Sequence, residues 1–237
     1  MRDDDDDDDR RWEALVDAIN LGDYAGAETL LDELAEEYGD DTELLYERAV
    51  LLWERDGPQA ATATLDELLQ RDPEHGDAHY LRGLACAETH DQAGMVSHFL
   101  ATLRIDALES DDLGEGNDEE LDFIESTAEQ ILAHVPAEFA DRLHGVPIVL
   151  EPRPHPDLVR EGFDPRSLGL FEGLEHGRLA AGEAAVAPTR IVLYYANLLA
   201  DFPERDELAD EIEITVLHEI GHFFGLNEDD LERLGLE

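Results

Sequence analysis

Leu217-His218-Glu219-Ile220-Gly221-His222-Phe223-Phe224-Gly225-Leu226-Asn227-Glu228 is the stretch from which the rest of the chain can be read. Apolar residues Leu208, Ile212, Val216, Ile220 and Phe223 recur through it at helical spacing, so it is expected to form a helix with one apolar face. Positions i and i+4 share a helix face, which sets His218 and His222 side by side. Two imidazoles placed this way can grip one metal ion, and H-E-x-x-H is the spacing of a zinc-binding helix. Glu219 then sits where a general base could reach water at that ion. Gly225 falls where a left-handed residue would end the helix. The turn it permits would bring Glu228 back to the histidines as a third ligand, with Asp229 as the alternative one residue on. Three protein ligands and an open fourth position make the donor set of a catalytic zinc.

Upstream of this helix the pattern is that of short strands. Val146-Pro147-Ile148-Val149-Leu150-Glu151-Pro152 reads as a strand whose prolines favour a sheet edge. Leu168-Gly169-Leu170-Phe171-Glu172-Gly173 and Arg190-Ile191-Val192-Leu193-Tyr194-Tyr195 read as two more. The connections 153–165 and 174–187 are long, as loops that shape a cleft often are. Before the first strand, Leu121, Ile124, Ala128, Ile131 and Leu132 mark a helix ending ahead of Pro136, and a short helix is expected over Glu138–Leu143. This order predicts an α+β domain over residues 120–237, with the histidine helix packed on a small sheet. His144, His155 and His176 fall in loops of this domain and are expected to be solvated rather than to add a fourth ligand.

In content and order, the blocks Leu168–Gly173, Arg190–Tyr194 and His218–Glu228 resemble the minimal matrix-metalloprotease-like, or zincin-like, family of predicted zinc peptidases. The resemblance implies a zincin fold, a zinc ion on His218 and His222, and Glu219 as the base for peptide hydrolysis. The family's acidic residue three positions after the glycine corresponds to Glu228. It further implies that an extended substrate pairs with an edge strand, supplied by Leu168–Glu172 or by Arg190–Tyr195. Tyr194 and Tyr195 are the nearest candidates for a second electrophile, one of them facing away from the core by strand alternation. With Glu237 as the last residue, neither a Met-turn nor a distant glutamate ligand is expected.

The N-terminal half repeats itself. Leu31-Asp32-Glu33-Leu34 returns as Leu65-Asp66-Glu67-Leu68, Tyr46 and Arg48 return as Tyr80 and Arg82, and Leu69 and Asp72 return as Leu103 and Asp106, all at a shift of 34. Amphipathic helices in pairs at this period resemble tetratricopeptide repeats, here three, at about 10–38, 41–72 and 75–106. Small residues (Ala27 and Ala61, Ala49 and Gly83) fall where paired helices approach, and Gly22 and Gly57 where they turn. The resemblance implies an all-α helical array with a concave face suited to a protein partner. The polar, glycine-containing stretch within 107–119 reads as the linker between the array and the α+β domain.

Composition narrows the partners. The chain has 237 residues, 61 of them acidic against 16 basic, a formal charge of −45. Nucleic acid and anionic membranes would be repelled, so neither is expected as a partner. Among the basic residues there is no lysine; a GC-rich genome accounts for arginine in its place but not for −45. A dense carboxylate surface suits a salt-rich cytoplasm, where its self-repulsion is screened. Asp3–Asp9 form a like-charge run, expected to leave residues 1–9 as a disordered acidic tail. The single cysteine, Cys86, cannot form an internal disulfide and reads as a small core residue in a reducing compartment. No secretory h-region follows Met1, and the longest apolar run, Ile191–Ala200, is too short to span a bilayer. A cytoplasmic protein is expected. Two functions compete: a zinc peptidase whose repeats recruit protein, and a binding protein with a structural or vestigial zinc site. Glu219 favours the first, because a structural site has no use for a base.

Overall fold

The computed structural model describes residues 5–39, 41–114, 116–136, 142–143, 145–173 and 189–236. The expected helix over Glu138–Leu143 lies almost wholly outside them, as do His144, His176 and the loop 174–187. Contacts divide the chain into two compact units, Met1–Asp106 with Val159–Gly162, and Ala107–Leu158 with Phe163–Glu237.

The first unit is built of helix pairs: α1 (Asp5–Asn20) with α2 (Tyr24–Tyr38), α3 (Thr42–Asp56) with α4 (Pro58–Arg71), and α5 (Gly76–Glu88) with α6 (Gln92–Leu113). The starts of α2, α4 and α6 lie 34 residues apart, as do those of α3 and α5, which is the period of the sequence. Each start has a local cause. Asp23 and Asp41 accept hydrogen bonds from Gly26 N and Glu43 N, 3.1 and 2.8 Å long, and Pro58 stands at the first position of α4. Leu15, Leu31, Leu34 and Leu51 fill the layer between α1, α2 and α3, and Leu65, Leu68 and Ala78 fill the next. Cys86 is a core residue as expected, buried with Met95, Phe99, Leu103 and Val159. Gly83 is required there: a Cβ on it would lie 2.4 Å from the ring of Phe99.

Two expected boundaries shift. α1 begins at Asp5, so the tail expected to end at Asp9 gives five of its aspartates to a helix. α6 runs on to Leu113, which confines the linker expected over 107–119 to the few residues before α7 (Asp118–His134). That helix starts on a capping box between Asn117 and Glu120.

The second unit is α+β. Strands β1 (Ile148–Glu151), β2 (Gly169–Glu172) and β3 (Arg190–Tyr194) form one sheet in the order β1-β3-β2. β1 runs parallel to β3, with Ile148 opposite Ile191, and β2 runs antiparallel, with Gly169 opposite Leu193 and Phe171 opposite Ile191. The short helix α8 (Pro156–Arg160) lies between β1 and β2 in sequence, inside the stretch expected to be all loop; α9 (Tyr195–Asp201), α10 (Arg205–Phe223) and α11 (Glu228–Glu232) follow β3. α10 is the histidine helix. It buries Leu208, Ile212, Val216, Ile220 and Phe223 against Ile124 and Ala128 of α7 and Ile191 and Leu193 of β3, the apolar stripe read from the sequence. Among the described residues β1 pairs with β3 alone, the edge position that its flanking prolines suggested. β3 is the central strand and has a neighbour on each side, which removes Arg190–Tyr195 as a strand that could accept a substrate and leaves β2.

Candidate metal centre

α10 carries His218, Glu219 and His222 on the turns that face β2. The helix ends because Gly225 adopts φ +82°, and Leu226 N then reaches back to Gly221 O at 3.0 Å. Asn227 caps α11 reciprocally with Asp230, and Leu231 anchors α11 on α10. Gly221 makes that anchoring possible, since a Cβ there would stand 2.4 Å from Leu231 Cδ2. Glu228, the first residue of α11, is thereby returned to the histidines.

The three side chains converge. His218 Nε2 and His222 Nε2 are 3.0 Å apart, and the Glu228 carboxylate lies 3.6 and 3.3 Å from them. Tetrahedral zinc with bonds near 2.0–2.1 Å sets its ligands about 3.3–3.4 Å from one another, close to these separations. Each imidazole is held from behind. His218 Nδ1 donates to Leu236 O at 2.6 Å and His222 Nδ1 to Leu226 O at 3.1 Å. These bonds need the proton on Nδ1, so both rings turn an Nε2 lone pair into one space. A cation satisfies that arrangement and an apolar core does not. His218, His222 and Glu228 are the group that could hold a metal ion among the described residues. Asp229 is not in it; its carbonyl accepts from Arg233 Nε. His155 is not in it either: its Nδ1 accepts from Asp157 N in a local turn.

Glu219 is 6 % exposed and sits between α10 and the outer edge of β2. In an antiparallel pair, alternate residues turn their N–H and C=O away from the partner strand. Tyr194 N bonds Leu168 O, so Leu168, Leu170 and Glu172 face β3, while Gly169 and Phe171 face outward. The outward Phe171 N–H donates to the Glu219 carboxylate. Burial pushes that carboxyl above its usual range, while the neighbouring His218 and His222 and the Phe171 N–H act in the opposite direction. Gly169 allows the close approach: a Cβ there would lie 2.7 Å from Thr215 Cγ2 and 3.1 Å from Glu219 Cγ and Oε1.

A cleft of about 560 Å³ opens over this arrangement, walled by Phe163, Leu168 and Phe171 on one side and by Glu211, Thr215 and Glu219 on the other. Neither tyrosine expected to assist there lines it. Tyr194 is 1 % exposed and packs its ring on Phe163; burial and nearby carboxylates raise its hydroxyl pKa. Tyr195 opens α9 instead of extending the strand. The carbonyls of Leu226 and Leu236 and the amide of Phe171 were not foreseen, and backbone groups carry no sequence signal. Gly169 did carry one, as a glycine inside a strand pattern.

Two family models match the chain: that of zincin-like metallopeptidases over residues 143–236, and that of the tetratricopeptide repeat over residues 18–85. Repeats followed by a zincin-like domain is the order read from the sequence. A search of curated proteins returned no match.

Proposed function

We propose that the zincin-like domain is a zinc-dependent peptidase, with His218, His222 and Glu228 as the metal ligands and Glu219 as general base. The observation that carries this reading is the convergence of two imidazole lone pairs and one carboxylate beside a buried glutamate in an open cleft. When bound there, zinc supplies Lewis acidity, which acidifies water toward a pKa of about 7 and polarises a carbonyl. The chain's own residues do the rest. The outward Gly169 N–H and the outward C=O groups of Gly169 and Phe171 offer an extended peptide a strand to pair with, which sets its backbone beside Glu219. Glu219 takes a proton from the attacking water and delivers it to the departing amine. Burial favours its neutral form, so the carboxyl can hold the proton between taking it from water and releasing it to the amine. The Leu226 and Leu236 carbonyls keep the imidazoles oriented throughout.

The tetratricopeptide-like unit, in this reading, binds protein and brings substrate to the cleft. No helix among the described residues is long and apolar enough to cross a membrane. The test is cleavage of a random peptide library by zinc-supplemented wild type and by Glu219→Gln. Turnover by wild type and its loss by more than about 10²-fold in the variant are expected. Equal turnover by both, or none by a wild type shown to hold zinc, would leave the domain a binding module.

A further inference from the structure

Glu211 lies on α10 seven residues before His218 and lines the same cleft. Thr215 Oγ1 is 3.4 Å from Glu211 Oε1, a long contact with a neutral hydroxyl, and no arginine or histidine forms an ion pair with Glu211 among the described residues. The other charged group acting on it is Asp201, of like sign, and burial together with Asp201 raises its carboxyl pKa. Such a partly buried carboxylate, without a counter-charge, is costly to keep. It is also a ready acceptor for a cation from outside. The described lining of the cleft contains no arginine, while Glu211, Glu219 and Glu228 all face into it.

We propose that Glu211 is a specificity-determining residue that selects substrates with an arginine or lysine side chain about three residues from the bond to be cleaved. This rests on the peptidase reading above and names its substrate class. The distance follows from the helix. Seven residues at about 1.5 Å each put Glu211 about 10 Å along α10 from His218, and an extended chain covers that in about three residues of 3.3 Å. β2 runs past the same turns of α10, since Gly169 abuts Thr215 and Glu219. A peptide paired with β2 would therefore pass over Glu211, and Phe163 and Leu168, which line the same cleft, would cover the aliphatic stem of a long basic side chain. The charge of −45 favours encounter with basic peptides in addition.

The test uses the full chain and N-acetylated decapeptides, identical except that one position at a time carries Arg, Lys or Ala. Affinity is measured by fluorescence anisotropy on Glu219→Gln, so that no cleavage is needed, and kcat/KM on wild type. A hydrogen bond to a charged group contributes about 1.5–3 kcal/mol. One Arg position should therefore bind about tenfold or more tighter than its Ala counterpart, and the ratio should fall below about twofold in Glu211→Gln/Glu219→Gln. Glu211→Asp should keep part of the preference, and Tm of each variant shows that the fold is retained. Equal affinity of Arg and Ala peptides, undetectable binding of both, or a preference unchanged by Glu211→Gln would overturn the inference. The two readings fail separately. Wild-type turnover without a basic preference removes this inference alone, and Glu211-dependent binding without turnover removes the peptidase alone.

Discussion

Gly169→Ala probes the contact between the edge strand and the base, and its effect can be worked from distances. The new methyl would lie 2.7 Å from Thr215 Cγ2 and 3.1 Å from Glu219 Cγ and Oε1, whereas carbon atoms pack at about 3.5–4.0 Å. β2 and α10 must therefore separate by about 1 Å, at an overpacking cost of about 1–3 kcal/mol. The hydrogen bond from Phe171 N–H to the Glu219 carboxylate lies across that gap and is lost with it. A displacement of about 1 Å between base and substrate-binding strand costs about 10²-fold in rate. The histidines are held from the other side, by Leu226 O and Leu236 O, so zinc affinity should change little. Peptidase kcat/KM, zinc affinity and Tm are measured together. Thr215→Ser removes the very Cγ2 that the methyl strikes, and Gly169→Ala/Thr215→Ser should regain most of the lost activity. A Gly169→Ala protein as active as wild type would refute the reasoning, as would loss of zinc in step with activity or a double variant no better than the single.

Three further outcomes are expected. His98 packs its Nδ1 2.9 Å from His79 Nδ1, and burial, with His79 next, lowers its pKa to about 4. The unfolded chain takes up this proton below about pH 6.5 and the folded one only near pH 4, so its neutral form contributes stability that is lost as pH falls between these values. With the ring only partly buried the loss is discounted to about 1–2 kcal/mol, and urea unfolding at pH 7.5 and 5 should show a smaller drop for His98→Gln than for wild type. Asn227→Ala removes the cap of α11, costing about 1 kcal/mol, and should weaken zinc binding measured by competition with a chelator while Glu219 chemistry persists at saturating zinc. Because the formal charge is −45, Tm should rise from low salt to molar potassium chloride by screening; a flat or falling Tm would remove the salt-rich reading.

The histidine helix, its glycine stop and the acidic residue after it were legible because each is local: an i, i+4 spacing, a left-handed Gly225 and the next turn. The helix pairs were legible for the same reason, since the 34-residue shift of Leu31–Leu34 to Leu65–Leu68 reports contacts between neighbours in sequence. Strand pairing was not. Arg190–Tyr194 and Leu168–Glu172 have similar patterns, and only the fold tells the centre of the sheet from its edge. Val159 grouping with Cys86 and Met95 is equally non-local, and α8 is too short to announce itself by period. Tyr195 turned into a helix where alternation predicted strand, because tertiary packing overrides a β-favouring side chain at a boundary. At the site, the spacing marks candidate side chains but not their backbone partners: Leu236 O and Phe171 N–H depend on where the chain passes, not on which residue it carries.

The central claim is that His218, His222 and Glu228 together hold one catalytic metal ion, and native mass spectrometry of the zinc-loaded full chain tests it most directly. One zinc per chain is predicted for wild type and for Glu219→Gln, with loss in His222→Ala and weakened retention in Glu228→Ala. A wild type that binds no zinc, or a His222→Ala chain that keeps it undiminished, would contradict the account.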